Sequence, residues 1–251
     1  WCHNPESTRV APELMFRRNR CILCDDCLPA CPQGAITRDG DSILIDRAKC
    51  TVSGCCAQVC PAEALQVVGW ESSAAAVMAE IEKDRAFYEE SGGGATFSGG
   101  EPLAQPEFLL ALLRGCREAG ITTAVDTCGY APWETFESLL PIVDLFLYDL
   151  KLMDEVRHQL WTGVSNHLIL ENLRLLVAAG AGVRVRIPVI PGVNDDEVNL
   201  RASGTFLAGL NPLHEVELLP YHAIAAGKYA ALGREDPLPG LQPPGEAHMR
   251  W

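Results

Sequence analysis

The stretch CILCDDCLPACP, residues 21–32, sets four cysteines and a proline in the order Cys21-x2-Cys24-x2-Cys27-x3-Cys31-Pro32. With this spacing, one tight loop delivers three thiolates to a [4Fe-4S] cube and a fourth to a neighbouring cube. A shift of 29 residues lays it on CTVSGCCAQVCP, residues 50–61. Cys21, Cys24, Cys27, Cys31 and Pro32 then fall on Cys50, Ser53, Cys56, Cys60 and Pro61, with Ala35-Ile36 on Ala64-Leu65. The segment is an internal duplication. Its second copy carries Ser53 where a cysteine is expected and an extra Cys55 beside Cys56. Three readings stay open: Cys55 supplies the fourth ligand through a rearranged loop, Ser53 ligates through oxygen, or the second cluster is incomplete. A zinc ribbon would instead offer two C-x2-C pairs to one tetrahedral ion.

Working outward, eight of the 11 cysteines lie between Cys21 and Cys60, and only Cys116 and Cys128 follow. No basic n-region and apolar h-region point to an oxidising compartment, so the chain is expected in the cytoplasm, where clustered thiols serve as metal ligands rather than disulfides. With 20 Lys+Arg against 33 Asp+Glu among 251 residues, the net charge is −13. That charge, without a basic run, disfavours phosphate backbones and anionic lipid; neither a nucleic acid nor a membrane is an expected partner. Apolar runs such as Leu139 to Leu150 are broken by Pro141, Asp144 and Asp149 and fall short of a membrane span.

Beyond Gly69 the pattern becomes alternately helical and strand-like. An Ala-rich helix over residues 72–90 stops at Gly92-Gly93-Gly94, and a short strand covers residues 95–100. Pro106 opens a helix whose apolar stripe is Leu109, Leu112, Leu113 and Cys116, so Cys116 reads as a core residue. Strands follow at 121–127, 145–151, 183–190 and 215–222, and helices near 134–140, 154–160, 166–179 and 194–210. This alternation predicts a parallel α/β sheet, doubly wound or closed as a barrel. Arg184 and Arg186 share one face of their strand, Asp149 and Lys151 one face of theirs. Asp126, Asp149, Lys151, Arg186 and His222 fall near strand C-terminal ends, where α/β barrels build their sites.

The opening Trp1-Cys2-His3-Asn4-Pro5-Glu6-Ser7, together with Ser98-Gly99-Gly100-Glu101-Pro102, resembles the glycyl-radical enzyme activating enzymes of the radical S-adenosylmethionine superfamily, typified by pyruvate formate-lyase activating enzyme. The likeness continues through Asp126-Thr127, Asp149-Leu150-Lys151, Gly163-Val-Ser-Asn166, Ile187-Pro-Val-Ile-Pro-Gly192 and Leu218-Leu-Pro-Tyr-His222. It implies a partial (β/α) barrel lacking its first strand, with an inserted two-cluster ferredoxin-like domain: residues 1–16 ending the radical-cluster loop, 17–69 the insert and 70–251 the barrel. Cys2 matches the last cysteine of the family's CxxxCxxC loop, whose other two positions would lie upstream of Trp1, so a truncated chain is expected.

The resemblance to two-cluster bacterial ferredoxins implies Cys21, Cys24, Cys27 and Cys60 on one cluster and Cys31, Cys50 and Cys56 on the other, with Cys55 favoured as its fourth ligand. Trp1, Cys2 and His3 would flank S-adenosylmethionine, and Ser98, Gly99, Gly100 and Glu101 would receive its methionine amino group. Asp126, Asp149, Leu150, Lys151 and His222 match positions contacting the cofactor, and Arg186 matches an arginine in the barrel lumen; Cys2 and Lys151 are the catalytic candidates. Asp126, Thr127 and Asp149 also match a monovalent-cation site. The implied activity is reductive cleavage of S-adenosylmethionine to a 5′-deoxyadenosyl radical that takes a glycine Cα hydrogen from a partner enzyme, with flavodoxin or ferredoxin as electron donor. Two other readings compete: a ferredoxin-type electron carrier without radical chemistry, and a radical enzyme acting on a different substrate. Cys128 has no assigned role.

Overall fold

The computed structural model describes residues 2–213 and 215–249. The chain divides into two compact units, Trp1–Glu71 with Ala223–Gly240, and Ser72–His222 with Leu241–Trp251. The expected boundaries at 17–69 and 70–251 differ from this division in two places. Strand β1 (Glu13–Phe16) pairs antiparallel with β4 (Leu65–Val68), which starts the first unit before residue 17. The segment 223–240 belongs to the same unit: it carries α10 (Ala226–Ala231) and is tied in by Arg47 Nη2 donating to the Ala231 carbonyl at 3.1 Å and by Arg234 paired with Glu13 at 2.6 Å.

The first unit realises the duplication along its whole backbone. Strand β2 (Ile36–Asp39) pairs with β3 (Ser42–Ile45), and the 29-residue shift carries β1 onto β3 and β2 onto β4. Short helices α1 (Cys27–Ala30) and α2 (Cys55–Gln58) follow the two cysteine loops. The buried core consists of three related pairs: Leu14 with Ile43, Cys27 with Cys56, and Ile36 with Leu65. Each aliphatic member contributes roughly 1.5–3 kcal/mol by leaving water.

In the second unit, α3 (Ala74–Ile81) is capped by Ser73, whose hydroxyl accepts from the Ala76 amide, and α4 (Arg85–Ser91) ends at the left-handed Gly92. Strands β5 (Gly94–Phe97), β6 (Thr122–Thr127), β7 (Leu145–Asp149), β8 (Val183–Val189) and β9 (Glu215–Pro220) form one parallel sheet in sequential order. They alternate with α5 (Pro106–Glu118), α6 (Trp133–Leu139), α7 (Glu155–Thr162), α8 (His167–Ala178) and α9 (Glu197–Ala208).

Along β8 the odd residues Val183, Val185, Ile187 and Val189 are buried, and the even ones are only half-buried. Val183, Val185 and Ile187 join Leu113, Cys116, Phe136, Leu139, Leu173 and Leu176 in one core. The other face therefore carries the polar residues, as the inward face of a site-bearing α/β sheet does.

Candidate functional site

The cysteine loops of the first unit are held by repeated backbone bonds. The Ala35 amide donates to Cys31 Sγ and the Ala64 amide to Cys60 Sγ, both at 3.3 Å. Cys21, Cys24, Cys27 and Cys60 line one small cavity closed by Phe16, Ile43 and Leu65. Burial, reinforced by Cys21 and Cys24, pushes the Cys27 thiol up to about 11; burial likewise raises Cys56, pressed by Cys50 and Cys31. Two neighbourhoods result, Cys21/Cys24/Cys27/Cys60 and Cys31/Cys50/Cys56. Among the described residues, no three His, Cys, Asp or Glu side chains converge as a single-ion site. A cube takes one thiolate at each iron corner, so its ligands stand apart, unlike four thiolates at about 2.3 Å from one zinc. The donor set thus fits two iron–sulfur clusters. Cys55 is half-buried in the first turn of α2 and Ser53 is exposed in the loop before it.

Cys2 is exposed, and its Sγ accepts from the Asn4 amide at 3.4 Å. The loop it begins is anchored within the first unit by Lys228, which donates to Asn4 Oδ1 at 2.8 Å and Glu6 Oε1 at 2.6 Å. His3 is half-buried, and Trp1 lies outside the described residues.

In the second unit, the C-terminal ends of β6 and β7 meet the middle of β8, where Arg186 stands fourth of the seven residues and not near the strand end expected from the sequence. The Arg186 guanidinium pairs with Asp126 and donates to Asp149 Oδ1 from Nη2 at 2.8 Å and from Nε at 3.2 Å. Lys151 Nζ stands 3.9 Å from Asp149 Oδ2, and Ser98 Oγ donates to Asp126 Oδ2 at 3.1 Å. Register explains the pairing, because Asp149 and Arg186 are directly opposed on β7 and β8. Burial raises the Asp149 carboxyl, with Lys151 and Arg186 pulling it back; on Arg186 burial acts downward, but the two aspartates outweigh it and its affinity for its proton rises. Leu150 is fully buried, its amide donating to the Arg186 carbonyl at 2.9 Å. His222 is exposed two residues beyond β9.

Glu101 fixes the glycine-rich loop. It accepts from Thr127 Oγ1 and the Cys128 amide, each at 2.8 Å, and from the Leu103 amide at 3.1 Å. Gly99 has φ +133° with open space where a Cβ would stand, so the backbone of Ser98-Gly99-Gly100 can approach a ligand closely. Cys128 lies behind Glu101; burial and that carboxylate push its thiol up to about 12, leaving it a neutral thiol. Two carboxylates and two cations make the rim neutral overall, with donors and acceptors side by side. That donor set fits a ligand bearing both an ammonium and a carboxylate, as S-adenosylmethionine does.

Sequence reasoning missed a set of buried asparagines behind this rim. Asn194 donates to the Lys151 carbonyl at 2.8 Å and the Pro188 carbonyl at 2.6 Å and accepts from the Ile190 amide at 2.7 Å. Asn172 clamps the Gly129 and Ala131 carbonyls, and Asn166 those of Leu152 and Met153. The available signal was Asn172 occupying an apolar-stripe position beside Ile169, Leu173 and Leu176.

Fold and sites define a radical S-adenosylmethionine protein with a ferredoxin-type cluster domain. The Radical SAM superfamily model matches residues 59–201, and the 4Fe-4S dicluster domain model residues 20–64. The chain is 46% identical to the trans-4-hydroxy-L-proline dehydratase activating enzyme of Clostridioides difficile, over 99% of this chain and 83% of the relative. It is 45% identical to the isethionate sulfite-lyase activating enzyme of Nitratidesulfovibrio vulgaris, over 95% and 79% respectively. A crystal structure of a domain of pyruvate-formate lyase-activating enzyme from Bacteroides vulgatus superposes with TM-score 0.52 at 42% identity, covering 62% of this chain and 88% of that one.

The chain belongs to the glycyl radical enzyme activating enzymes. It is an oxidoreductase that uses iron–sulfur clusters to cleave S-adenosylmethionine reductively and generates a glycyl radical on a partner enzyme.

Proposed function

We propose that the partner is a glycyl radical enzyme of the eliminating kind, and that the rim Ser98–Asp126–Asp149–Lys151–Arg186 binds and orients S-adenosylmethionine for it. The partner class rests on similarity to activating enzymes for a dehydratase, a sulfite-lyase and, at 43% identity over 96% of this chain, a choline trimethylamine-lyase. The observation carrying the binding role is Arg186 bridging Asp126 and Asp149 with Lys151 beside it.

S-adenosylmethionine bound to an iron–sulfur cluster would supply, on one-electron reduction, the carbon radical that removes the glycine Cα hydrogen. The chain's residues perform the remaining work. Lys151 pairs with the ligand's carboxylate, the loop over Ser98–Glu101 accepts its ammonium group, and the two aspartates, locked by Arg186, accept hydrogens from its hydroxyls. Held this way, the reacting bond keeps one orientation and water is displaced. The cysteines of the first unit would hold two clusters able to take single electrons from a flavodoxin- or ferredoxin-type donor. The expected location is the cytoplasm, where thiolates stay reduced, and no helix among the described residues is long and apolar enough to cross a membrane.

The test is an anaerobic incubation of the iron-loaded chain with reductant, S-adenosylmethionine and candidate partners. Appearance of 5′-deoxyadenosine with a glycyl radical resonance on a dehydratase or lyase supports the proposal. Radical formation only on a partner of another class rejects the partner, and unchanged S-adenosylmethionine affinity in Lys151→Ala rejects the binding role.

A further inference from the structure

The backbone of the second cysteine loop repeats the left-handed positions and turn hydrogen bonds of the first. In the first copy, Leu23 and Asp25 have left-handed φ values of 60° and 65°, and Gly34 has 57°. Shifted by 29, the same conformation recurs at Val52, Gly54 and Glu63, with φ of 55°, 78° and 50°. Left-handed backbone at leucine, valine and glutamate is costly, so its recurrence at matched positions reflects one loop geometry imposed twice.

The hydrogen bonds agree. Leu28 N to Asp25 O at 3.0 Å matches Ala57 N to Gly54 O at 2.9 Å. Gly34 N to Cys31 O matches Glu63 N to Cys60 O, both at 3.1 Å, and Arg17 N to Ala64 O at 2.7 Å matches Asp46 N to Ala35 O at 2.8 Å. Within this frame Ser53, flanked by the left-handed Val52 and Gly54, stands where Cys24 stands between Leu23 and Asp25. Cys55 takes the place of Asp26, a helix-start position next to the cluster cysteine, and Asp26 is exposed.

We infer that the second cluster is held by Cys31, Cys50 and Cys56 with Ser53 as an oxygen ligand to its fourth iron, and that Cys55 is not a ligand. The Ser53 hydroxyl releases its proton on binding iron, as a cysteine thiol does. Oxygen is the harder donor and favours the oxidised iron over the reduced, so this cluster differs in potential from its all-thiolate neighbour. The inference rests on the two-cluster reading of this unit.

The experiment uses the iron-loaded full chain and its Ser53→Ala, Ser53→Cys and Cys55→Ala variants, read by iron content, electron paramagnetic resonance and redox titration. If the wild type holds only one cluster in this unit, the two-cluster reading falls, and the ligand assignment falls with it. With both clusters present, Cys55→Ala should leave iron content, spectra and potentials unchanged. Ser53→Ala should lose about one iron per chain and show an oxidised three-iron signal. Ser53→Cys should restore the full load with that cluster's potential moved upward. Iron loss in Cys55→Ala, or an unaltered spectrum in Ser53→Ala, would overturn the assignment.

Discussion

Replacing Arg186 by Met keeps much of the aliphatic volume but strands Asp126 and Asp149, leaving Lys151 at 3.9 Å as the remaining cation beside Asp149. Removing one partner of a buried ion pair costs about 3–5 kcal/mol. The Arg186 side chain is 17% exposed and both aspartates 23%. Solvent therefore screens part of this, and we expect a loss of about 2–4 kcal/mol at neutral pH.

The loss should depend on pH in a definite direction. Burial already raises Asp149 above its ordinary 3.8, and Arg186 opposes that rise. Removing Arg186 lifts the carboxyl further, and a carboxyl raised in the folded state is penalised once ionised. The deficit is thus present above the raised folded value and fades as pH falls back toward the ordinary one.

Urea-dependent hydrogen exchange of peptides spanning β6 to β8, corrected for intrinsic rates, measures this at pH 7.5 and pH 5. Opening should be about 30- to 1,000-fold more frequent in the variant at the higher pH and clearly less so at the lower. A loss below about 0.5 kcal/mol, or an equal loss at both values, would refute the view that Arg186 neutralises the two aspartates.

Lys151→Ala should weaken S-adenosylmethionine binding, measured by anaerobic calorimetry, with cluster absorbance and iron content unchanged. Glu101→Ala removes three hydrogen bonds from the glycine-rich loop. It should cost about 2–3 kcal/mol and raise hydrogen exchange at residues 98–103 and 127–129; an unaltered exchange pattern would disprove the anchoring role. Cys128, raised from 9.0 to about 12, should hold about a thousandth of its thiolate form at pH 9, where an ordinary thiol is half ionised. Peptide mapping after brief iodoacetamide treatment of the folded chain at that pH should find Cys128 unlabelled; rapid labelling would contradict the raised thiol.

Much of this was legible before the structure. The alternation beyond Gly69 placed the parallel strands to within a few residues, because buried strands and amphipathic helices differ in period. Arg184 and Arg186 on one face of β8 announced the polar side of the sheet. The buried asparagines were harder to see, since Asn166, Asn172 and Asn194 bond to carbonyls of segments 6–43 residues away, which no local pattern encodes. The first unit's boundaries were also hidden. Strand β1 has its partner 52 positions on, with Glu13 opposite Val68 at one end and Phe16 opposite Leu65 at the other.

The sequence by itself determined the chemistry: thiolate spacing is set by short loops, whose geometry is local, and it named two clusters and a radical-enzyme family. It also placed Asp126 and Asp149 at strand ends and Arg186 on the polar face of its strand. Only tertiary structure decided that Arg186 locks both aspartates, because that pairing depends on the register between strands 37 residues apart. Tertiary structure likewise decided that the second loop keeps the backbone of the first, since left-handed positions and matching hydrogen bonds are visible only once the two halves have folded around their shared core.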